Sequence, residues 1–219
     1  MKQLIKPLFL SILFFGFTLS LSAQNDQKAN EMIEAILEKV KSYDNISIEF
    51  NYILENLSEN IKQETRGDVT IKDDLYVLNL MGTTRIFDGE KIYTIIPEDE
   101  EVIISNYDDQ DENEITPSKM LTFFEEGYTY EMDIVQNYKG RKIQFLKLTP
   151  NGNTNEEISE VLLGVDQQTL HIHTLIQVQD NGTRTQIQVK SFKKNQPLSQ
   201  SHFKFNEDKY SSYYINRLD

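Results

Sequence analysis

From Ile46 onward the chain changes its hydrophobic period from 3.6 residues to 2, and it keeps the shorter period through most of its remaining length. Ile46, Ile48, Phe50, Tyr52 and Leu54 alternate with Ser47, Glu49 and Asn51, which sets the apolar side chains on one face of a half-buried strand. Segments of the same kind recur at 64–72, 75–81, 84–88, 91–96, 101–106, 128–136, 141–149, 157–165, 170–179, 183–193 and 202–206. The turns between them carry residues that accept a left-handed backbone, notably Asp88-Gly89, Lys139-Gly140, Asn151-Gly152 and Asp180-Asn181-Gly182. Short strands in series joined by hairpins make an antiparallel sheet, and a sheet of this many strands curls, so the pattern predicts a barrel or half-barrel.

Two helices are expected beside it. Over 28–42, Ala29, Met32, Ile33, Ile36, Leu37 and Val40 fall at three- and four-residue spacings with Glu31, Glu34, Glu38 and Lys41 between them, an amphipathic helix for which Asp26 is the candidate cap. The second interrupts the strands: Thr116 as cap, Pro117 at the first helical position, Met120, Leu121, Phe123 and Phe124 as the apolar face, and Gly127 as the stop. A small closed barrel fills itself with side chains, whereas an open one leaves an apolar concavity that these helices would have to cover. The inward strand faces are rich in Tyr, Phe and Ile, which suits a dry core as well as a hydrophobic cleft; periodicity does not separate the two.

The N-terminus carries Lys2 and Lys6, then the apolar run Leu8–Leu21, then Ser22 and Ala23. That is the charged, apolar, small-residue order of a secretory signal, expected here over 1–23 with cleavage after Ala23. A helix over those 14 residues would be short of the roughly 30 Å of a bilayer's hydrocarbon core. The remaining domain, 24–219, is large enough to be held by one hydrophobic core, and without Cys it has no disulfides to lean on. Loss of Lys2 and Lys6 takes the net charge from −13 to −15. So acidic a domain is a poor partner for nucleic acid, and it lacks the basic cluster that would hold it on an anionic membrane. Periplasmic localisation, without a membrane anchor, is the expectation.

Candidate chemistry is sparse. His171 and His173 stand two apart in a predicted strand and would share a face, but a metal site needs further ligands, and a solvated strand face is the plainer reading. Residues 98–114 hold nine carboxylates and no Lys or Arg, without the Gly and Glu spacing of a calcium loop; an acidic solvated loop is expected. The chain has no nucleophile elbow, zinc-protease helix, phosphate loop or dinucleotide fingerprint. Neighbours such as Glu125 and Glu126 on a helix do not converge on one site. Neither an enzyme nor a cofactor is expected.

Taken in order, the signal segment, the helix ending in KVKSYDNISIEF, then ETRGDVTIKDDLYVL, FDGEKIYTIIPEDEEVIIS, the ITPSKML segment at 115–121 and the tail FKFNEDKYSSYYINRLD at 203–219 resemble the LolA family of periplasmic outer-membrane lipoprotein carriers. The resemblance implies a mainly β fold with two or more helices: an unclosed antiparallel β-barrel covered by a helical lid over an apolar cavity. It implies a monomeric carrier that receives acylated lipoproteins from an inner-membrane lipoprotein-releasing transporter and shuttles them towards the outer membrane. The lipid-facing wall is then expected from Ile48, Phe50, Tyr52, Leu78, Leu80, Tyr93, Tyr130 and Met132, and the lid from Met32, Ile36, Met120, Phe123 and Phe124. Family members commonly carry an Arg after the strand corresponding to 68–72 that bonds the lid; here Asp73 and Asp74 follow Lys72, which leaves Arg85 and Arg66 as candidates. The alternative is a same-fold lipid-sensing or glycolipid-binding protein that regulates envelope stress; an enzyme or metal protein is the third class.

Overall fold

A computed structural model describes residues 26–107, 116–152 and 158–218. The expected signal segment, 1–23, and residues 108–114 of the acidic run lie outside the described residues. Residues 26–41 form helix α1. Ala29, Ile33, Ile36 and Leu37 are buried to between 0% and 8% exposure while Glu31, Glu34 and Glu38 are exposed, so the 3.6-residue stripe decides which side meets the protein. Asp26 already lies inside the helix, and its carbonyl accepts a bond from Asn30 Nδ2 at 2.7 Å. Beyond the helix, Asn45 clamps the corner to residues on the far side of the chain: its Nδ2 donates to Gln196 O, and its Oδ1 accepts from Gln196 N–H, each at 2.9 Å.

The strands then run as two antiparallel meanders. The first comprises β1 (Ile46–Asn56), β2 (Ile61–Lys72), β3 (Leu75–Leu80), β4 (Thr83–Phe87), β5 (Lys91–Ile96) and β6 (Glu101–Asn106). The second comprises β7 (Tyr128–Tyr138), β8 (Arg141–Pro150), β9 (Ile158–Asp166), β10 (Ile172–Gln179) and β11 (Arg184–Lys194). Pairing of β1 with β11, from Ile46 opposite Lys194 to Glu55 opposite Arg184, joins them. With β12 (Tyr214–Leu218) laid parallel to β6, the result is one sheet of 12 strands in the order β12-β6-β5-β4-β3-β2-β1-β11-β10-β9-β8-β7. The end strands β12 and β7 do not pair with each other, so the barrel is unclosed.

Two expectations require correction. Among the described residues there is one α-helix, not two. The segment after Thr116 makes two separate 3₁₀ turns, Lys119–Leu121 and Phe123–Glu125. Its cap and stop are as read: Thr116 Oγ1 accepts from Lys119 N–H at 3.3 Å, and Gly127 takes a positive φ of 86°. Between them Thr122, at φ −136° and ψ 0°, breaks the run. With so few residues between cap and stop, burial of Phe124 (0% exposed) outweighs continuation of a helix too short to propagate. Residues 202–206, read as a strand, form no strand. Phe205 lies on a sheet face instead, and the strand of this region is β12, further on.

The sheet has two coated faces. Inside, α1 and Phe124 pack on β8, β9 and β10 through Leu146, Leu148, Val161, Leu163, Val165 and Leu175. Ile46, Ile48, Phe50, Val69, Ile71, Tyr76, Phe87 and Ile92 make a second inner cluster, and Val40 of α1 touches both. Outside, the segment before β12 covers β4, β5 and β6: Ile86, Ile95, Val102 and Ile104 meet Phe205, Tyr210, Tyr213 and Ile215. There Tyr93 stacks on Phe205 with ring centroids 4.7 Å apart, and its hydroxyl donates to Asp88 Oδ2 at 2.9 Å. Burial, reinforced by Asp88, pushes the Tyr93 phenol up to about 12.

Candidate functional site

Where the two inner clusters meet, the side chains leave a cavity of about 170 Å³. Its walls come from both meanders: Ile48, Phe50, Val69, Ile71, Leu78 and Leu80 on one side, and Leu163, Ile172, Leu175, Ile187, Val189 and Phe192 on the other. In the sheet order β3 and β9 are five strands apart, about 24 Å in a flat sheet at about 4.8 Å per strand. Curling brings Leu78 and Leu163 to one hollow. Val40 of α1 and Pro117, Met120 and Leu121 of the 3₁₀ segment complete the lining, with Tyr52, Lys39 and His171 as its polar-tipped members.

Two bulges make this lining possible. Along β11 the register slips, so that Ile48 faces Phe192 but Phe50 faces Val189. A second slip in β10 leaves Ile172 opposite Val165 and Leu175 opposite Leu163. An extra residue in a strand reverses the in–out alternation beyond it. Phe192 with Val189, and Ile172 with Leu175, are odd–even pairs that a strict period of 2 would send to opposite faces; the bulges turn both members of each pair inward. Strict alternation could not have found them. The readable signal was two inward-size apolar residues three apart within one strand. On the other wall, β2 passes tightly: a Cβ on Gly67 would stand 2.6 Å from Phe50 Cζ and 2.9 Å from Asn79 O. Only the absence of that atom lets the Phe50 ring lie across β2.

Of the wall residues expected from sequence, the structure brings Ile48, Phe50, Tyr52, Leu78 and Leu80 together at the cavity, and Met120 with them from the 3₁₀ segment. Tyr130 and Met132 instead pack beside the cluster under α1, as do Met32 and Phe123, while Ile36 and Phe124 are sealed within it. Tyr93 is on the outer face, because Ile92 holds the inward position of β5. The two latch candidates part as well. Arg66 is exposed; Arg85 alternates with outward Ile86, on the inward side of β4.

One side of the cavity is polar. Tyr43 Oη and His171 Nε2 are hydrogen-bonded at 2.9 Å, His171 stacks on Phe192 with centroids 4.0 Å apart, and Lys194 Nζ sits 4.7 Å above the Tyr43 ring. Burial first, then Lys194, Lys39 and Arg141, hold His171 below its ordinary value, with Asp166 opposing. His173 goes elsewhere, against Tyr138 at 4.7 Å, so the two imidazoles have separate partners. The 3₁₀ segment is held by Lys41 Nζ to Glu125 Oε1 at 2.5 Å, by Tyr130 Oη donating to Phe124 O at 2.6 Å, by the buried Phe124 ring, and by Met120, Phe123 and Leu121 packed on the two inner clusters.

The open, inward-curled sheet thus surrounds an apolar hollow. Comparison with known proteins gives the family. Residues 41–206 match the family described as outer membrane lipoprotein carrier protein LolA, and the chain belongs to that family. No curated protein sequence matches it significantly. Among solved structures it is similar to an uncharacterised conserved protein from Thermus thermophilus, with 11% identity, a TM-score of 0.55, and coverage of 84% of this chain and 98% of that one. It is also similar to the Mycobacterium tuberculosis lipoprotein LppX, with 15% identity, a TM-score of 0.49, and 80% and 98% coverage. A LolA superfamily protein from Nitrosomonas europaea has 12% identity and a TM-score of 0.40 over 78% and 97%. Among the described residues no helix is long and apolar enough to cross a membrane.

Proposed function

We propose that residues 1–23 direct export, and that the domain from 24 onward is a periplasmic carrier that takes acyl chains of lipoproteins into the cavity between the two meanders and conveys them towards the outer membrane. The carrying observation is that cavity: Leu78, Leu80, Ile187 and Val189 remain half-buried around a hollow lined almost wholly by apolar side chains. Each methylene removed from water contributes about 0.8 kcal/mol, so a 16-carbon chain needs shielding from a cost on the order of 12 kcal/mol in transit. At about 170 Å³ the hollow is smaller than the roughly 300–1,000 Å³ of ordinary ligand sites, so loading requires the cover to move. Residues 116–122 are the part that moves: a single 3₁₀ turn on the near side of the buried Phe124, carrying Met120, whose unbranched side chain repacks readily. In this reading α1 and the 3₁₀ segment form the lid, and an inner-membrane transporter supplies the cargo.

Native mass spectrometry of the mature protein purified from its own periplasm tests this. A bound acylated protein is the expected result, and protein that is consistently empty when lipoprotein export is blocked downstream sinks the carrier reading. Phe50→Glu, placing a carboxylate in the hollow, should abolish acyl-probe binding.

A further inference from the structure

Apart from Tyr52, the polar groups in the cavity lining, Lys39 and His171, stand nearest the C-terminal end of α1. Lys39 lines the hollow beside His171, and Lys194 lies over Tyr43, the hydrogen-bond partner of His171. Neither lysine belongs to an ion pair among the described residues, whereas neighbouring Lys41 and Lys193 are paired with Glu125 and Glu49. The charged groups that act on His171 are Lys194, Lys39 and Arg141, against one carboxylate, Asp166. That carboxylate is already bound to Arg141 and to the N–H groups of Gln168 and Thr169. In a chain of net charge −13, cationic side chains beside this apolar hollow are against the trend of the whole molecule.

We infer that this rim, Lys39 and Lys194 with the Tyr43–His171 pair behind them, receives the anionic head group of an amphiphile whose acyl chain lies in the cavity. The inference rests on the cavity being an acyl-binding site, and it parts from the lipoprotein reading in the head group, since acyl chains carried on a neutral glyceryl group would gain nothing from this rim. Two ammonium groups, the half-buried Lys39 in the lining and the exposed Lys194 outside it, form charge-assisted hydrogen bonds with a carboxylate or phosphate oxygen. The acyl chain fixes the anion where the field of the rim is strongest. Tyr43 and His171 supply a polar boundary that keeps the head at the rim and the chain within. A neutral glyceride gains the hydrophobic part alone.

The test is displacement of a fluorescent acyl probe from the mature chain by palmitate, 1-palmitoyl lysophosphatidate, 1-monopalmitoylglycerol and inorganic phosphate. Both anionic amphiphiles should bind at least about tenfold more tightly than the neutral glyceride, the worth of one charge-assisted bond at such a rim. A preference for one of them shows whether carboxylate or phosphate is the natural head. In a Lys39→Gln, Lys194→Gln double variant that advantage should vanish, with an unchanged circular dichroism spectrum and melting transition showing that the variant is folded. Equal affinity for charged and neutral amphiphiles in the unaltered chain overturns the proposal and leaves acyl binding standing. Binding of inorganic phosphate alone, lost in the double variant, overturns it in favour of a free-anion site. If no amphiphile binds, the acyl-binding reading falls and this one falls with it.

Discussion

The inner face of the sheet is built from one kind of strand pattern but ends in two conditions. Under α1, the β8–β9 part is closed: Leu146, Leu148, Val161 and Val165 are each 0% exposed, and Leu163 stands at its margin with the cavity. On the β1–β3 half, Ile48, Phe50, Val69 and Ile71 keep 6% to 7% exposure, and Tyr52, Leu78 and Leu80 are half-buried. The difference lies in the cover. A regular helix presents a continuous stripe that interdigitates with the sheet, whereas two 3₁₀ turns present Pro117, Met120 and Leu121 at irregular heights and leave space. The same apolar alternation therefore becomes a core in one half and a receptacle in the other.

That contrast can be broken from either side. The largest effect is expected from Leu146→Ala in the closed half, a loss of about 2–5 kcal/mol by urea denaturation, since nothing nearby can collapse into the space. Leu78→Ala on the cavity wall should cost less than about 1.5 kcal/mol, because its neighbours already face a hollow, yet weaken acyl-probe binding; a cost equal to that of Leu146→Ala would erase the distinction between core and cavity. Gly67→Ala should destabilise by about 1–3 kcal/mol, and in addition displace Phe50 into the hollow, reducing its capacity for probe. Lys41→Ala should change stability by at most about 1 kcal/mol, as the pair with Glu125 is exposed, while speeding probe exchange in stopped-flow mixing by loosening the 3₁₀ segment.

The smallest effect concerns pH. His171 and His173 are both held below the ordinary imidazole value, each first by burial, with Lys194 next for His171 and Arg141 for His173. The unfolded chain then takes up protons near pH about 6.5 where the folded chain does not, so their contribution to stability is complete above that value and declines as pH falls through the window beneath it. Melting temperature should drop between about pH 7 and about pH 5, and His171→Gln should flatten part of that slope; an unchanged slope in the variant would remove His171 from the account.

Much of this architecture was legible in the chain. The stripe Ala29, Ile33, Ile36 and Leu37 places α1, and alternation with Gly-containing turns places β1 to β11 to within a few residues. Alternation could name Ile48, Phe50, Tyr52, Leu78 and Leu80 together because β1 and β3 run without interruption across the cavity. It failed at Phe192 and Ile172, where a bulge inverts the rule and only the pairing partner reveals it. Tyr93 was assigned to the wrong face because both sides of β5 are apolar, Ile92 inward and Tyr93 outward, and a strand coated on both faces has no parity to read. The helix after Thr116 was mistaken because caps mark where a helix can begin and end; tertiary burial of Phe124 decides whether one forms between them. β12 is a parallel edge strand reached by a long connection, for which no local signal exists.

The seam between β1 and β11 also sets an order of assembly. Each meander closes through neighbours in sequence, so hairpins on either side can form quickly and alone. Ile46 meets Lys194 only after nearly the whole fold has been delivered, and a contact so distant along the chain is slow to find. Until then β1 has a bare edge flanked by Ile48, Phe50 and Tyr52, a strand able to pair with the wrong neighbour. If the chain is exported from its N-terminal end, as proposed, that edge emerges early and is satisfied among the last. The residues proposed to shelter another molecule's acyl chain are therefore those most in need of shelter while this protein itself is folding.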